Sequence, residues 1–177
     1  EPMPSPDDRY IFDKLREKKF RSKADLTKGS WEIVMDEESI RKTAFVTPDG
    51  VYEFLRMPFG LKNSAASFNR LMRKVLGGLE NVDCFVDDII IHTNTWTEHI
   101  ATWREVLNRL RDAGLTVKPS KCMIGFSDIE FLGHHVGTDT LAPRESKVTE
   151  ILQVAHRKAK KQVRMFLGVV GYYSYFI

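Results

Sequence analysis

Two hydrophobic patterns alternate along the chain. Short runs of β-branched and aromatic residues, typical of strands, occur at 20–25, 43–47, 51–55, 82–86, 89–91, 115–117, 122–126 and 129–136. Elsewhere apolar residues recur every three or four positions, which predicts amphipathic helices, at 6–19, 65–76, 95–113 and in stretches near Pro143 and Val163. This order predicts an α+β fold in which helices cover one face of an antiparallel sheet.

Single residues predict several helix boundaries. Thr95 and Glu98 form the capping-box pattern that begins a helix, and Gly114 ends that helix. Pro143 stands at a first-turn position and opens a later helix. The helix at 95–113 has an apolar stripe that we predict to face the core: Ile100, Trp103, Leu107 and Leu110.

Two adjacent acids, Asp87 and Asp88, interrupt the most apolar strand region of the chain. The pattern predicts a hairpin bend here, although tight hairpins favour Gly or Asn and the bend contains neither. Like charges beside the run Ile89–Ile91 cost free energy unless a cation neutralises them. An ordinary solvated turn is the alternative, since Asp hydrogen-bonds its own backbone in turns.

A third acid, Asp25, ends the strand 20–25 at a corner from which it can meet the other two. Taken alone, Asp25 is typical of a helix cap or a turn. Magnesium is a hard cation that takes one or two carboxylates together with substrate phosphates. We therefore hypothesise a magnesium site for phosphoryl transfer that contains Asp25, Asp87 and Asp88.

Charge and cysteine content narrow the classes of function. The net charge is only +3, but basic residues predominate within 9–28 and 141–164, which favours contact with phosphate backbones; a solvated charged face is the alternative. Cys84 and Cys122 form no Cys-x-x-Cys pair, so structural zinc is not expected. We interpret both as reduced core residues of an intracellular protein, in a cytoplasmic particle or the nucleus. The sequence has no apolar run of about 18 residues, so no membrane partner is expected.

Five segments of the sequence follow one another in a distinctive order: "KADLTKGSWEI", "FLRMPFGLKNSAASFNRLM", "CFVDDIII", "GLTVKPSKCMIGFSDIEFLGHHV" and "KKQVRMFLGVVGYYSYFI". In order and spacing they resemble the reverse transcriptases of gypsy-type LTR retrotransposons, over nearly all 177 residues. The resemblance implies a polymerase palm with partial fingers over residues 1–137 and the start of a thumb or connection over 138–177. It also implies an RNA- and DNA-directed DNA polymerase domain, as a piece of a retroelement Pol polyprotein.

The resemblance also implies roles for individual residues. Asp25, Asp87 and Asp88, with the backbone carbonyl of Leu26, would hold two Mg²⁺ ions, or Mn²⁺ in their place. The residues implied at the incoming nucleotide are Ser30, Phe59 and Gly60. The residues implied along primer and template are Phe85 at the primer's terminal sugar, a primer grip of Phe131, Leu132, Gly133 and His134, and Lys160, Lys161 and Arg164 at phosphates. The implied partners are an RNA or DNA template with its primer, deoxynucleoside triphosphates, and the fingers, connection and RNase H segments of Pol.

The sequence departs from the family at several positions. Ser30 stands where the family has the Tyr that gates against a 2′-hydroxyl, and Glu32 replaces the usual Gln. Ala65 replaces Pro, and Phe85 replaces the more frequent Tyr. The family's fingers segment would precede Glu1, so we expect the 177 residues alone to extend primers poorly.

Two other functions stay open at this point. One is a decayed or co-opted copy that only binds nucleic acid, which the departures at Ser30 and Glu32 favour. The other is an RRM-like RNA-binding module, which would need aromatic residues on its central strands. The acids at 25, 87 and 88 favour the polymerase over both.

Overall fold

The computed structural model describes residues 8–27 and 29–143 and, beyond them, only positions 149, 163–164, 167–168 and 171. Within the described residues up to 143 the helices are α1 (Asp8–Arg16), α2 (Glu37–Ile40), α3 (Ser64–Leu76) and α4 (Trp96–Asp112), and short 3₁₀ turns span Gly29–Glu32, Arg41–Thr43 and Pro119–Lys121. The strands are β1 (Phe20–Asp25), β2 (Phe45–Thr47), β3 (Gly50–Tyr52), β4 (Val82–Phe85), β5 (Asp88–Thr93), β6 (Met123–Phe126), β7 (Ile129–Phe131), β8 (His134–Gly137) and β9 (Thr140–Pro143). No helix of the described part is long and apolar enough to cross a membrane.

A four-stranded antiparallel sheet in the order β4-β5-β1-β6 forms the centre of the fold. Strand β5 is buried on both faces, because side chains alternate along a strand and Ile89, Ile90 and Ile91 are all inaccessible. Ile89 and Ile91 pack with residues of α3 and α4, whereas Ile90 packs with α1, β7 and β8 on the opposite face. The predicted α+β class is confirmed, with α1 and the sheet β7-β8-β9 covering part of the second face.

Arg21 ties α1 to the central sheet. Its side chain is fully buried, and its Nε donates a hydrogen bond of 2.8 Å to the carbonyl of Leu15. The other guanidinium nitrogens donate to the carbonyls of Arg16 and Ser127. The last carbonyls of a helix have no partner inside the helix, so this guanidinium caps α1 from within β1.

Several local predictions are confirmed. Strand β1 spans residues 20–25, and β2 pairs with β3 around the turn Pro48-Asp49. Thr95 caps α4, since its Oγ1 accepts a hydrogen bond of 3.3 Å from the backbone N–H of Glu98. Gly114, with a φ of +70°, follows the end of this helix.

The buried face of α4 agrees with the prediction at Trp103 and Leu110 and differs elsewhere. Leu107 is 40% exposed, and the side chains that this helix buries are His99, Trp103, Val106 and Leu110. His99 belongs to the buried face because both ring nitrogens have hydroxyl partners, Ser22 at 2.5 Å and Thr93 at 2.9 Å. The apolar periodicity contains no sign of this polar network, so the prediction missed His99 and included the exposed Leu107.

The region after β6 also differs from the prediction. Residues 129–136 form two strands rather than one, separated by a turn at Leu132-Gly133. Pro143 ends β9 opposite His134, so the predicted helix start at Pro143 is wrong. Strand β9 lies at the edge of its sheet, where a proline needs no partner for a missing N–H. The predicted apolar stripe of that helix lies outside the described residues, and the boundary at 137/138, which falls in the β8–β9 turn, stays a prediction.

Gly125→Ala should destabilise the chain more than Gly78→Ala. Both glycines have a positive φ, +72° and +80°, so both variants carry similar backbone strain. A Cβ at Gly125 would also overlap the ring of Trp96, whereas nothing lies within 4 Å of a Cβ at Gly78. We expect losses of about 2–4 kcal/mol and about 1 kcal/mol respectively, measured by urea unfolding. Equal losses would mean that Trp96 moves aside without cost.

Candidate active site

The hairpin that carries the adjacent acids has a two-residue turn. Strands β4 and β5 pair as far as Phe85 and Asp88, which leaves Val86 and Asp87 between them. Val86 has a φ of 53°, a conformation uncommon for a β-branched residue. The thiol of Cys84 donates a hydrogen bond of 3.2 Å to the Val86 carbonyl. Asp87 therefore lies in the turn, and Asp88 is the first residue of β5.

The structure brings the three predicted acids to one end of the central sheet. Asp25, the last residue of β1, is directly opposite Asp88 in the antiparallel register of β1 and β5. Side chains that are directly opposite each other lie on the same face of a sheet. Burial raises the pKa of Asp87, and the charges of Asp88 and Asp25 raise it further. Asp25 and Asp88 are therefore close enough to Asp87 to influence its ionisation.

A glycine that sequence reasoning missed allows a close approach to Asp87. Gly29 begins the 3₁₀ turn that follows β1, with a φ of +39°. A Cβ at this position would lie 2.6 Å from Oδ1 of Asp87, which is closer than real Cβ contacts come. The backbone of Ser30 continues the same turn. The turn after Asp25 and the turn that holds Asp87 therefore lie against each other, and only glycine fits between them.

Two lysines that sequence reasoning also missed bind two of the acids. Lys23 Nζ lies 2.9 Å from Oδ1 of Asp88, and Lys121 Nζ lies 3.1 Å from Oδ2 of Asp25. Lys23 was detectable from the sequence, because residues two apart on a strand share a face. Lys121 was not, since long-range backbone contacts bring its turn to this edge. Within the described residues, Asp87 forms no ion pair.

The loop after β1 is anchored to the segment before β6 by two backbone hydrogen bonds and by one that a side chain accepts. Thr27 N–H donates to the Thr116 carbonyl and Lys118 N–H to the Asp25 carbonyl, each over 2.8 Å. In return, the Glu32 carboxylate accepts a hydrogen bond from Thr116 N–H at 3.1 Å. These contacts fix the backbone on both sides of the acid site.

The donor chemistry of the site fits a divalent cation. Carboxylate oxygens are the ligands that magnesium prefers. Burial raises the pKa of Asp87, and the charges of Asp88 and Asp25 add to the rise, so a cation here would relieve both effects. Leu26, whose carbonyl is the predicted fourth ligand, is buried and forms a β-bridge with Val117. Among the described residues, however, no group of three or more His, Cys, Asp or Glu side chains is already arranged to hold a metal. Instead, Asp25 and Asp88 form ion pairs with Lys121 and Lys23.

Phe85 lies next to the acids, whereas Phe59 and Gly60 line a cavity that the acids do not reach. Phe85 is opposite Asp88 in the β4–β5 register and is partly buried against the core. Phe59 is 69% exposed, and its ring packs edge-on against Trp31 with centroids 5.9 Å apart. The cavity has a volume of about 370 Å³, and its lining contains none of the three acids: Trp31, Thr43, Phe54, Pro58, Phe59, Gly60 and Leu61.

The four predicted primer-grip residues form the turn between β7 and β8. Phe131 and His134 are buried, and the ring of His134 packs against that of Phe12 with centroids 4.7 Å apart. His134 Nδ1 lies 3.0 Å from the carbonyl of Leu132. Leu132 and Gly133 have φ values of 48° and 77° and make the bend itself. Phe131 and His134 thus lie in the core, Leu132 packs against it while partly buried, and the bend is the more accessible part.

Of the three predicted phosphate-binding residues, only one is described. Arg164 is exposed and helical. Lys160 and Lys161 lie outside the described residues.

A further acid of the same hairpin, Asp83, has positively charged and hydrogen-bonding partners. Asp83 accepts a hydrogen bond of 2.8 Å from Nε2 of buried His92 and lies 3.2 Å from Lys14 Nζ. Burial alone would raise the pKa of Asp83, but the hydrogen bonds and charges of His92 and Lys14 hold it below its usual value. Asp83 is therefore a satisfied structural acid.

Comparison with known proteins gives the family. Residues 2–136 match the family described as "Reverse transcriptase (RNA-dependent DNA polymerase)". The chain belongs to the reverse transcriptase family. The resemblance predicted from the sequence motifs is thereby confirmed, and the RRM-like alternative is not supported, because the central strands β1 and β5 present Lys23, Asp25 and Asp88 rather than aromatic rings.

The similar curated proteins are transposon polyproteins. The chain is 43% identical over 99% of its length to "Retrovirus-related Pol polyprotein from transposon 297" of Drosophila melanogaster. It is 38% identical over 98% of its length to the Pol polyprotein from transposon opus of the same species, and 33% identical over 88% to "Transposon Tf2-3 polyprotein" of Schizosaccharomyces pombe. The chain spans only 17%, 18% and 12% of these three polyproteins.

Solved reverse transcriptases have the same fold. The structure matches a foamy viral protease-reverse transcriptase in complex with double-stranded DNA with a TM-score of 0.89 at 24% identity, covering 97% of this chain and 30% of that one. It matches the foamy viral enzyme in complex with an RNA/DNA hybrid with a TM-score of 0.84, also at 24% identity, covering 96% and 23%. The predicted palm architecture is thereby confirmed.

Asp87→Asn should stabilise the chain at neutral pH. Because the folded-state pKa of Asp87 is raised, its contribution to stability is complete below the unfolded-state pKa of about 3.9 and is lost as the pH rises through the folded-state value. We expect a gain of about 0.5–1 kcal/mol at pH 7 that disappears near pH 3–4, since partial exposure screens the repulsion. Urea unfolding at several pH values measures it, with the exposed Asp36→Asn as the control. No gain at pH 7 would contradict the prediction.

Proposed function

We propose that this chain is the catalytic core of an RNA- and DNA-directed DNA polymerase that uses two magnesium ions for nucleotidyl transfer. The observation that carries the proposal is the placement of Asp25 opposite Asp88, with Asp87 in the adjoining turn, in a member of the reverse transcriptase family. The proposed partners are an RNA or DNA template with its primer, deoxynucleoside triphosphates, and the remaining segments of a Pol polyprotein. The foamy viral structures in complex with an RNA/DNA hybrid and with double-stranded DNA support the choice of nucleic acid.

The residues at the end of the sheet have separate tasks in this proposal. Asp25, Asp87 and Asp88, with the Leu26 carbonyl, would hold the ions, which when bound would activate the primer 3′-hydroxyl and stabilise charge at the α-phosphate. The β1–β5 register fixes the separation of Asp25 and Asp88 before substrate arrives. Such preorganisation lowers the cost of reaching the transition state. Phe85, beside Asp88 on β4, offers an apolar surface for the primer's terminal sugar.

Other residues would orient the substrates. Phe59 and Gly60 lie at a cavity with aromatic walls, which suits contact with a nucleotide base or sugar. The bend at Leu132-Gly133, between Phe131 and His134, would hold the primer strand. Lys160, Lys161 and Arg164 would contact phosphates, which position nucleic acid without reading its sequence.

Asp88→Asn tests the proposal in the polymerase segment of a complete Pol polyprotein. Removing one carboxylate charge while keeping its shape should reduce Mg²⁺-dependent primer extension by at least about a thousandfold, or about 4 kcal/mol, on both RNA and DNA templates. Binding of template–primer should persist, because phosphate contacts lie elsewhere. Asp49→Asn, an exposed acid in the β2–β3 turn, is the control and should keep full activity.

Two outcomes would contradict this function. An Asp88→Asn enzyme that retains activity would remove the carboxylates from the mechanism. A parent enzyme that binds template–primer but never extends it would favour the decayed or co-opted copy that only binds nucleic acid.

Ser30 should make the complete enzyme tolerant of ribonucleotides, and Ser30→Tyr should restore the preference for deoxynucleotides by at least about tenfold. A Tyr ring at this position would overlap the 2′-hydroxyl, and overlap in a packed site is costly. Trp31 is held edge-on by Phe54 and Phe59, with centroids 5.6 and 5.9 Å away, which supports a gap that the indole does not fill. Paired incorporation assays measure the preference. The same strong deoxynucleotide preference in both enzymes would show that Ser30 is not the gate.

A further inference from the structure

We propose that Lys23 and Lys121 are built-in counter-ions that occupy the carboxylates of the metal-free site, and that a divalent cation binds only by displacing both ammonium groups. This inference rests on the proposed function, because it concerns the affinity of the same three acids for metal. It makes the two lysines positioning residues: they hold the acids and set the metal affinity.

Lys23 is fixed to Asp88 by the sheet itself. It lies on β1 opposite Ile90, two residues before Asp25, so its side chain shares the face of both acids. Its Nζ is 2.9 Å from Oδ1 of Asp88, and the two side chains are only 21% and 26% exposed. Partial burial reduces screening by water and salt, so this pair is the stronger of the two.

Lys121 is brought to Asp25 by backbone contacts. The 3₁₀ turn Pro119–Lys121 is anchored by Lys118 N–H, which donates to the carbonyl of Asp25 itself over 2.8 Å. The ammonium of Lys121 then reaches both carboxylate oxygens of Asp25, at 3.1 and 3.3 Å. Its side chain is 55% exposed, so water weakens this pair more.

Ammonium groups and divalent cations compete for the same oxygens. Three carboxylates carry a charge of about −3, and the two lysines contribute +2, so the net charge of the cluster is near −1. The remaining negative charge belongs to Asp87, which forms no ion pair within the described residues. A divalent ion at Asp25 and Asp88 would meet both lysines at short range, and like charges at such distances repel. Removing a lysine therefore has two effects of opposite sign: the metal-free fold loses stability, and the metal binds more tightly.

Mn²⁺ binding to the complete 177-residue chain, followed by electron paramagnetic resonance of the free ion, tests the inference without any assay of activity. We expect Lys23→Met to bind Mn²⁺ roughly three- to tenfold more tightly than the parent, and Lys121→Met about two- to threefold more tightly. Lys118→Met is the matched control, with the same charge change in the neighbouring exposed side chain, and should stay within about twofold of the parent.

Thermal unfolding supplies a second readout that a merely structural role would not move in the same way. Lys23→Met should lower the melting temperature in the absence of metal and enlarge the rise that Mn²⁺ causes. In an Asp88→Asn background the same lysine change should cost much less, because the partner charge is gone. A lysine that only supports the fold would lower both the melting temperature and the metal affinity.

The outcomes separate this inference from the proposed function. If the parent binds Mn²⁺, Asp88→Asn abolishes binding, and the lysine variants bind no more tightly than the parent, the counter-ion role is wrong while the metal site stands. If the parent, both lysine variants and the double lysine variant all fail to bind Mn²⁺, the metal site is wrong and the counter-ion role with it.

Discussion

The antiparallel register of β1 against β5 is the constraint on which the candidate site depends. It places Asp25 opposite Asp88, and like charges directly opposite each other destabilise a sheet by up to about 1 kcal/mol. The register is nevertheless fixed, because Ile89, Ile90 and Ile91 are inaccessible and pack in two different cores. Burying one isoleucine stabilises a fold by about 2 kcal/mol, and a slip by one residue would exchange the faces of all three. Hydrophobic burial therefore holds two acids in a pairing that their charges oppose.

Two acids of the β4–β5 hairpin, Asp83 and Asp87, lie in opposite electrostatic surroundings. Asp83 has a buried histidine and a lysine as partners, and its pKa is lowered. Burial raises the pKa of Asp87, and the charges of two neighbouring acids raise it further. A carboxylate whose ionised form the fold leaves under-compensated is typical of a functional site. The difference arises within five residues of sequence, so it follows from three-dimensional neighbours and not from local composition.

Sequence reasoning succeeded where the determining interactions are local and failed where they are not. Strand β1 and the Thr95 cap follow from alternation and from a hydrogen bond that spans three residues, and the family motifs identified the three acids. The buried face of α4 depends on His99 and its hydroxyl partners in β1 and β5, which no periodicity contains. Pro143 looked like a helix start because a first helical turn and an edge strand tolerate the same missing N–H. Lys121 reaches Asp25 through long-range contacts, the pairing of β6 with β1 and the hydrogen bond from Lys118 N–H to the Asp25 carbonyl.

The departures of this chain from its family are not equal in structural weight. Glu32 accepts hydrogen bonds from the Thr116 backbone N–H with both carboxylate oxygens, whereas the single oxygen of a glutamine would have to serve alone. Glu32 thus closes the loop whose other end is fixed by Thr27, and it supports the backbone around Asp25. Gly29, in the same loop, is the one residue type that fits beside Asp87 at its φ of +39°. Several independent local requirements are met together around the acids, and such agreement is typical of a sequence that specifies its site. Under the proposed function, Ser30 would then be the departure that changes the chemistry offered to a substrate while this support stays in place.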